Sequence, residues 1–297
     1  MSELVAVALE VAELMEAGVW EDAAGVRHDV RGAQAAAVSG TREVSAEALG
    51  EMVAAMLSAR PGVARARVEV TGETTQAAAR RLVVEEGRGD VLVLDFASAV
   101  EPGGGFWRGA RAQEEDLCRC SGLWWCLAPH EGSYYARNRV PRERLWEAAS
   151  AERAHVYTDD VLVVPGVPFF RVRSEEAPGA PWRASVLVAP APNAGWALRA
   201  DPGLGGRIAE VMDRRVGRVF GVARALGYGA LVLGAWGCGA FGNDPAMVAG
   251  AFARWLARPE VSGSFERVVF AVWDGGEPGA NLAAFRGALG GATSSGR

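Results

Sequence analysis

The sequence predicts an α/β protein, with helices on both faces of one central sheet. Short, continuous apolar runs recur from residue 67 onward, as strands covered on both faces require. Helical stretches alternate with these runs, the order expected of a three-layer sandwich. Of the 297 residues, 50% are hydrophobic and 23% charged. That globular balance excludes disordered, collagen-like and disulfide-scaffold chains.

Residues 2–60 read as helical, because Val5, Leu9 and Ala12, and later Ala48, Met52, Ala55 and Met56, recur at helical spacing. Pro61-Gly62 punctuates the end of this stretch. The expected division is an N-terminal helical extension over 1–62, a main domain over 63–290 and a Gly/Ser-rich flexible tail over 291–297. Candidate strands are Arg67–Val70, Val91–Leu94, Val161–Val164, Ser185–Ala189, Ala230–Leu233 and Arg267–Val272. Between them, Thr75–Val84, Glu114–Leu127, Arg207–Leu226 and Pro245–Ala257 read as helices, and 177–182 and 201–206 as surface loops.

All 31 of the Lys+Arg residues are arginine. Schiff-base chemistry, a P-loop lysine and a Lys–Asp pair are therefore excluded. A formal net charge of -5 argues against bulk binding to a phosphate backbone. It still permits a small anionic ligand held by backbone amides. Cys118, Cys120 and Cys126 crowd one stretch and Cys238 is remote, without a C-x-x-C pair. Reduced thiols and structural packing are the expectation, with no metal site. Glu3, Glu10, Glu13 and Glu16 interrupt the apolar N-terminus, so it does not read as a signal peptide. No stretch is apolar enough for a membrane span, and a soluble, cytoplasmic protein is expected.

Two constellations carry chemistry. The first runs Asp95-Phe96-Ala97-Ser98, then Gly103-Gly104-Gly105, then Gln113-Glu114-Glu115. Asp95 falls at the carboxyl end of a buried strand, where open α/β sheets bind ligands. Three glycines admit close approach of backbone to a ligand, although a plain turn is the alternative. Adjacent glutamates on a helix diverge by about 100°, so one can face a cleft while its neighbour anchors another group. A third carboxylate nearby would raise a glutamate into general-acid range, as glycosidic cleavage requires. The alternative is an acidic first turn favoured by the helix dipole. The second constellation, Gly234-Ala235-Trp236-Gly237-Cys238-Gly239-Ala240-Phe241-Gly242-Asn243-Asp244-Pro245, follows a strand and opens a helix. Asp244 suits the N-cap and Pro245 the first helical position. Its four glycines let backbone amides converge on an anion without a lysine. Trp236 and Phe241 read either as stacking surface or as core aromatics.

With these letters in hand, the sequence resembles the bacterial-type poly(ADP-ribose) glycohydrolases, which are catalytic macrodomains. The similarity runs from about Val68 to Phe285. It includes Thr74-Thr75, Asp116-Leu117-Cys118-Arg119, Tyr134-Tyr135, Tyr157-Thr158-Asp159 and Ala191-Pro192-Asn193. The resemblance implies a three-layer α/β/α macrodomain with a mixed central sheet, and hydrolysis of ribose–ribose O-glycosidic bonds to release ADP-ribose. It implies Glu115 as acid/base and Glu114 as the residue orienting the ribose. It further implies substrate contacts from Asp95, Gly103, Gly104, Gly105, Gln113, Gly237, Cys238, Gly239, Ala240 and Phe241. Ser98 and Glu101 depart from the residues usual in relatives, and Trp107, Arg108, Trp124 and Trp125 are bulkier than usual. No cofactor is expected. The expected partners are poly(ADP-ribose), ADP-ribose and ADP-ribosylated proteins, met by a monomer away from membranes. Two other readings compete: a macrodomain that binds ADP-ribose without turnover, and a glutamate-dependent hydrolase of mono-ADP-ribosylated targets.

Other residues read more plainly. Glu85 is a solvated helix-end charge before it is an adenine contact. His28, His130 and His155 are scattered and fit structural or surface roles. Asn193 suits a turn as well as a substrate contact. Arg137, Arg139, Arg142 and Arg144 make one basic run, read as a solvated face with polymer phosphates as the alternative.

Overall fold

A computed structural model describes residues 2–62, 64–141, 148–275 and 279–290 of the chain. Nine strands form in it. β1 (Val19–Glu21) and β2 (Arg27–Asp29) make a separate antiparallel hairpin. The others are β3 (Arg42–Val44), β4 (Arg67–Thr71), β5 (Val91–Phe96), β6 (Val161–Phe169), β7 (Trp182–Ala189), β8 (Ala230–Leu233) and β9 (Arg267–Ala271). They form one seven-stranded sheet in the order β3-β6-β7-β5-β8-β9-β4. From β7 to β4 the pairing is parallel, and β6 and β3 close one side antiparallel.

Side chains of a strand alternate between faces, and here both faces are apolar. Leu92 and Leu94 of β5, Leu231 and Leu233 of β8, and Val268 and Phe270 of β9 enter one core. That core is capped by the helices Ala46–Ser58, Gly205–Ala225, Pro245–Leu256 and Ala280–Leu289. Val91 and Val93, Ala230 and Val232, and Val269 and Ala271 enter the other. There they meet the helices Glu3–Ala17, Thr75–Arg80, Gln113–Cys120 and Leu123–Leu127. The result is the expected three-layer α/β/α architecture around a mixed sheet.

All six expected strands form, with β5 running two residues further, so that Asp95 lies inside the strand. The helical reading of 2–60 needs correction. Three helices are present there, Glu3–Ala17, Arg31–Gly40 and Ala46–Ser58, but so are β1, β2 and β3. Three-residue strands are too short to show a period of two, and β3 is a strand because it pairs with β6 along the sheet edge. The expected helix 114–127 is interrupted at Ser121, whose extended backbone bridges to Phe169. The 291–297 tail, Arg142 and Arg144 lie outside the described residues.

Phe270 illustrates the packing on the first face: it is fully buried, with ring centroids 5.1 Å from Phe252 and 5.7 Å from Phe285. Phe270→Ala should lower the unfolding free energy by roughly 3–5 kcal/mol in urea titrations. A loss under about 1 kcal/mol would mean that the core collapses around the gap.

Candidate active site

β5 and β8 are parallel neighbours, so their carboxyl ends lie side by side. The chain leaving β5 reaches the helix Gln113–Cys120 on one face of the sheet. The chain leaving β8 reaches the helix Pro245–Leu256 on the opposite face. The two glycine loops therefore splay apart from adjacent strand ends, which is how open α/β sheets make a ligand crevice. Residues more than a hundred positions apart thus start from neighbouring strand ends.

Three carboxyl groups gather beneath the first loop. Asp95 has no exposed surface, and Glu114 and Glu115 are 3% and 7% exposed. Neither oxygen of Asp95 has a hydrogen-bond partner, nor does Oε1 of Glu114. Burial, then the charge of Glu115, pushes the Asp95 carboxyl well above the usual carboxylate range. Burial likewise raises Glu114, aided by Asp95 and Glu115 and opposed by N–H groups of Ser98 and Gly103. Near them lie neutral groups: the buried thiol of Cys118 and the buried phenols of Tyr134 and Tyr135, which meet edge to face. Among the described residues no group of His, Cys, Asp and Glu is arranged to hold a metal ion.

The glutamates are fixed by backbone amides. Glu114 Oε2 accepts from the Ser98 N–H at 2.7 Å. Glu115 Oε1 accepts from the Gly105 N–H at 2.8 Å, and its Oε2 from the Ala112 N–H at 3.2 Å. A Cβ on Gly104 would stand 2.5 Å from Glu115 Oε1 and 2.9 Å from Glu114 Oε2, at a backbone φ of +55°. Adjacent side chains thus converge on one point that only glycine leaves open. The Gly104 N–H is bonded to the Glu101 carbonyl. The amides of Gly103, Gly104 and Gly105, expected to contact substrate, are thus engaged within the protein, two of them by the glutamates.

Gln113 is committed too. Its Oε1 accepts from the Phe96 N–H at 2.9 Å, and its Nε2 donates to the Leu94 carbonyl at 2.8 Å and to Thr75 Oγ1 at 3.2 Å. Expected at the substrate, it instead stitches the helix start to β5 and aims the next two residues. Asp95, also expected at the substrate, is fully buried beside the glutamates. Asp116 and Arg119 fix the same helix from below through Gln76, Ser174 and the Ala110 carbonyl.

The second loop keeps open donors. Gly239, Ala240 and Gly242 are exposed and Gly237, Cys238 and Phe241 partly so. Among the described residues no hydrogen bond occupies the N–H groups of Gly239, Ala240 or Phe241. The loop is braced by Asn243, whose Nδ2 donates to the Pro192 carbonyl at 2.7 Å and the Gly237 carbonyl at 3.0 Å. Gly237, at φ +72°, leaves room for that amide and for Ala191. Trp236 is core, donating to the Ala189 carbonyl at 3.0 Å. Phe241 stays at the rim, beside Tyr157.

The remaining candidates settle as follows. Glu85 pairs with Arg80 at 3.4 Å on the surface. His28 pairs with Asp22, His130 with Glu43, and His155 stacks on Trp196. Arg137 pairs with Glu43 and Asp160, and Arg139 with Glu131. Ser98 uses its hydroxyl to cap the amides of Val100 and Glu101. Asn193 caps the helix Ala194–Ala200. Sequence reasoning gave no role to Tyr134, Tyr135 or Tyr157, because only the folded sheet brings them to the site.

The family model of the microbial-type PARG catalytic domain matches residues 8–172, starting well ahead of Val68. No similar protein was found among curated sequences. Solved structures match along nearly the whole chain. The poly(ADP-ribose) glycohydrolase (PARG) of Thermomonospora curvata is 42% identical, with 95% of this chain and 97% of that one covered and a TM-score of 0.82. The same enzyme bound to the inhibitor ADP-HPD is 40% identical, over 95% and 97%, with a TM-score of 0.80. The Deinococcus radiodurans enzyme in complex with ADP-ribose is 41% identical, over 88% and 98%, with a TM-score of 0.76. Sheet order, glycine loops and buried acids thus meet a family match over more than half the chain, and the protein belongs to the microbial-type poly(ADP-ribose) glycohydrolases.

Proposed function

We propose that Glu115 is the acid and base of this glycohydrolase, with Glu114 orienting the ribose at the scissile bond. The observation that carries this is the convergence of two adjacent, amide-anchored glutamates at Gly104, beside a buried Asp95. The terminal ribose lies over the pair, where the unpartnered Glu114 Oε1 accepts from a ribose hydroxyl. The diphosphate lies against the free amides of Gly239 to Phe241, as an anion suits a glycine loop near a helix start.

In its acid form Glu115 protonates the leaving ribose oxygen, and the C–O bond breaks to an oxocarbenium ion. The nearby diphosphate stabilises that cation. The Glu115 carboxylate then takes a proton from the attacking water, returning to the acid form. Both loops and all three acids come from one chain, which supports a monomeric enzyme acting on polymer carried by ADP-ribosylated proteins. Four free cysteines fit a reducing cytoplasm, and no helix among the described residues is long and apolar enough to cross a membrane.

Glu115→Gln keeps an oxygen for the Gly105 amide while removing the proton. Release of ADP-ribose from labelled polymer should fall by roughly 10²–10⁴-fold, with ADP-ribose affinity changed only a few-fold. Equal losses of turnover and affinity would make Glu115 a structural residue and overturn the assignment.

The raised Asp95 carboxyl also has a stability consequence. It binds its proton more tightly folded than unfolded, where the ordinary value is near 3.8. Its contribution is therefore complete below that pH and is lost as pH rises through the folded value. Urea unfolding at a series of pH values should show stability falling from about pH 4 upward, and Asp95→Asn should flatten that fall. Parallel curves for the two proteins would show that Asp95 is ionised in the folded state.

A further inference from the structure

We propose that Arg215 is a positioning residue for substrate binding, holding Tyr157 against Phe241 of the second glycine loop. Tyr157 is the sole non-glycine residue at positive φ among the described residues, at +67°. A bulky side chain pays for that backbone conformation, which persists only where its surroundings over-determine it. Arg215 supplies the determination. Its guanidinium is buried, and Nε donates to Asp159 Oδ1 at 2.7 Å. Nη2 reaches the carbonyls of Val156 at 2.6 Å, Tyr157 at 3.1 Å and Thr158 at 3.0 Å. Nη1 donates to the Pro190 carbonyl at 3.0 Å. One side chain therefore gathers three successive carbonyls of the turn and ties them to the segment after β7. Asn138 Oδ1 accepts from the Thr158 N–H at 2.7 Å, and the Asn193 N–H donates to the His155 carbonyl at 2.7 Å. Asp159 also binds Arg214 and Arg218, which fixes the acid that fixes Arg215.

The consequence reaches the second loop by two routes. The Tyr157 ring lies with its centroid 6.2 Å from that of Phe241. Beside Tyr157 a groove of about 430 Å³ opens, flanked by Arg153, Arg207 and Arg214. The ring is therefore open on that side, and its place depends on its backbone. The second route runs from Pro190 through Ala191, which packs under Gly237, to Pro192, whose carbonyl holds Asn243. A single buried arginine thus sets both the aromatic wall and the brace of the loop whose free amides face the diphosphate. This inference rests on the assignment of Phe241 and its loop to the substrate cleft.

The test compares Arg215→Lys, Tyr157→Gly and their combination. Lysine keeps a charge beside Asp159 but its single nitrogen cannot span the carbonyls. Glycine accepts positive φ without strain, so Tyr157→Gly removes the ring and preserves the turn. Each single variant should weaken ADP-ribose binding by on the order of tenfold, and should raise KM for polymer more than it lowers kcat. The double variant should be no worse than the poorer single variant, since both changes remove one contact. Thermal unfolding reads the purely structural effect separately. If Arg215→Lys lowers the unfolding temperature while KM and affinity stay at parental values, the positioning role is overturned. Losses that multiply in the double variant overturn it too. Phe241→Ala distinguishes the two levels: parental KM there sinks the cleft assignment, whereas a raised KM with Tyr157→Gly unchanged sinks the positioning role alone.

Discussion

Burying a carboxyl group without a cation is expensive for the charged form, and this fold buries three in one place. Much of the local architecture answers that problem. Backbone N–H groups from Ser98, Gly105 and Ala112 reach the glutamates from both sides of the loop. They give partial positive charge and direction without a full positive charge. The glycine triplet is needed first for these carboxylates, since any side chain at Gly104 would displace them. The loop belongs to the acids before it belongs to a ligand.

The sheet turns that arrangement into a site. Because β5 and β8 are adjacent and parallel while their following helices cover opposite faces, an acid-bearing loop and an amide-bearing loop must diverge from one point. The division of labour follows from hydrogen bonding. In the first loop the Gly105 amide is spent on Glu115 and the Gly104 amide on the Glu101 carbonyl, whereas in the second, among the described residues, those of Gly239, Ala240 and Phe241 stay free. In the proposed binding mode this difference is what would direct an anion to one loop and a sugar to the other.

The parallel strands were legible because most carry a continuous apolar run, β4 with its alternating Arg-Val-Glu-Val-Thr being the exception, and both motifs were legible because their letters sit close together in sequence. The letters showed the glutamate pair Glu114-Glu115 but left an acidic first turn open as its alternative, and the roles proposed for the pair came from the family resemblance. What could not be read depends on distant contacts. β3 exists through pairing with β6. The engagement of Gln113 with Leu94 and Phe96 reverses its reading from ligand contact to support. The left-handed backbone of Tyr157 is dictated by an arginine 58 residues away, and no local pattern announces it.

The absence of lysine gains meaning from where the arginines go. Arg119 lies one turn beyond Glu115 on the same helix, close enough in sequence to neutralise it. Its guanidinium is instead drawn to Ser174, the Ala110 carbonyl and Asp116. Arg108, beside the glycine triplet, is held by Glu101. A cation against the trio would favour ionised carboxylates and abolish the acid. A guanidinium, with its planar fan of donors, can be locked elsewhere by several acceptors at once, as a flexible ammonium cannot. The proposed acid chemistry therefore needs these two guanidinium groups tied to other acceptors as much as it needs the acids brought together.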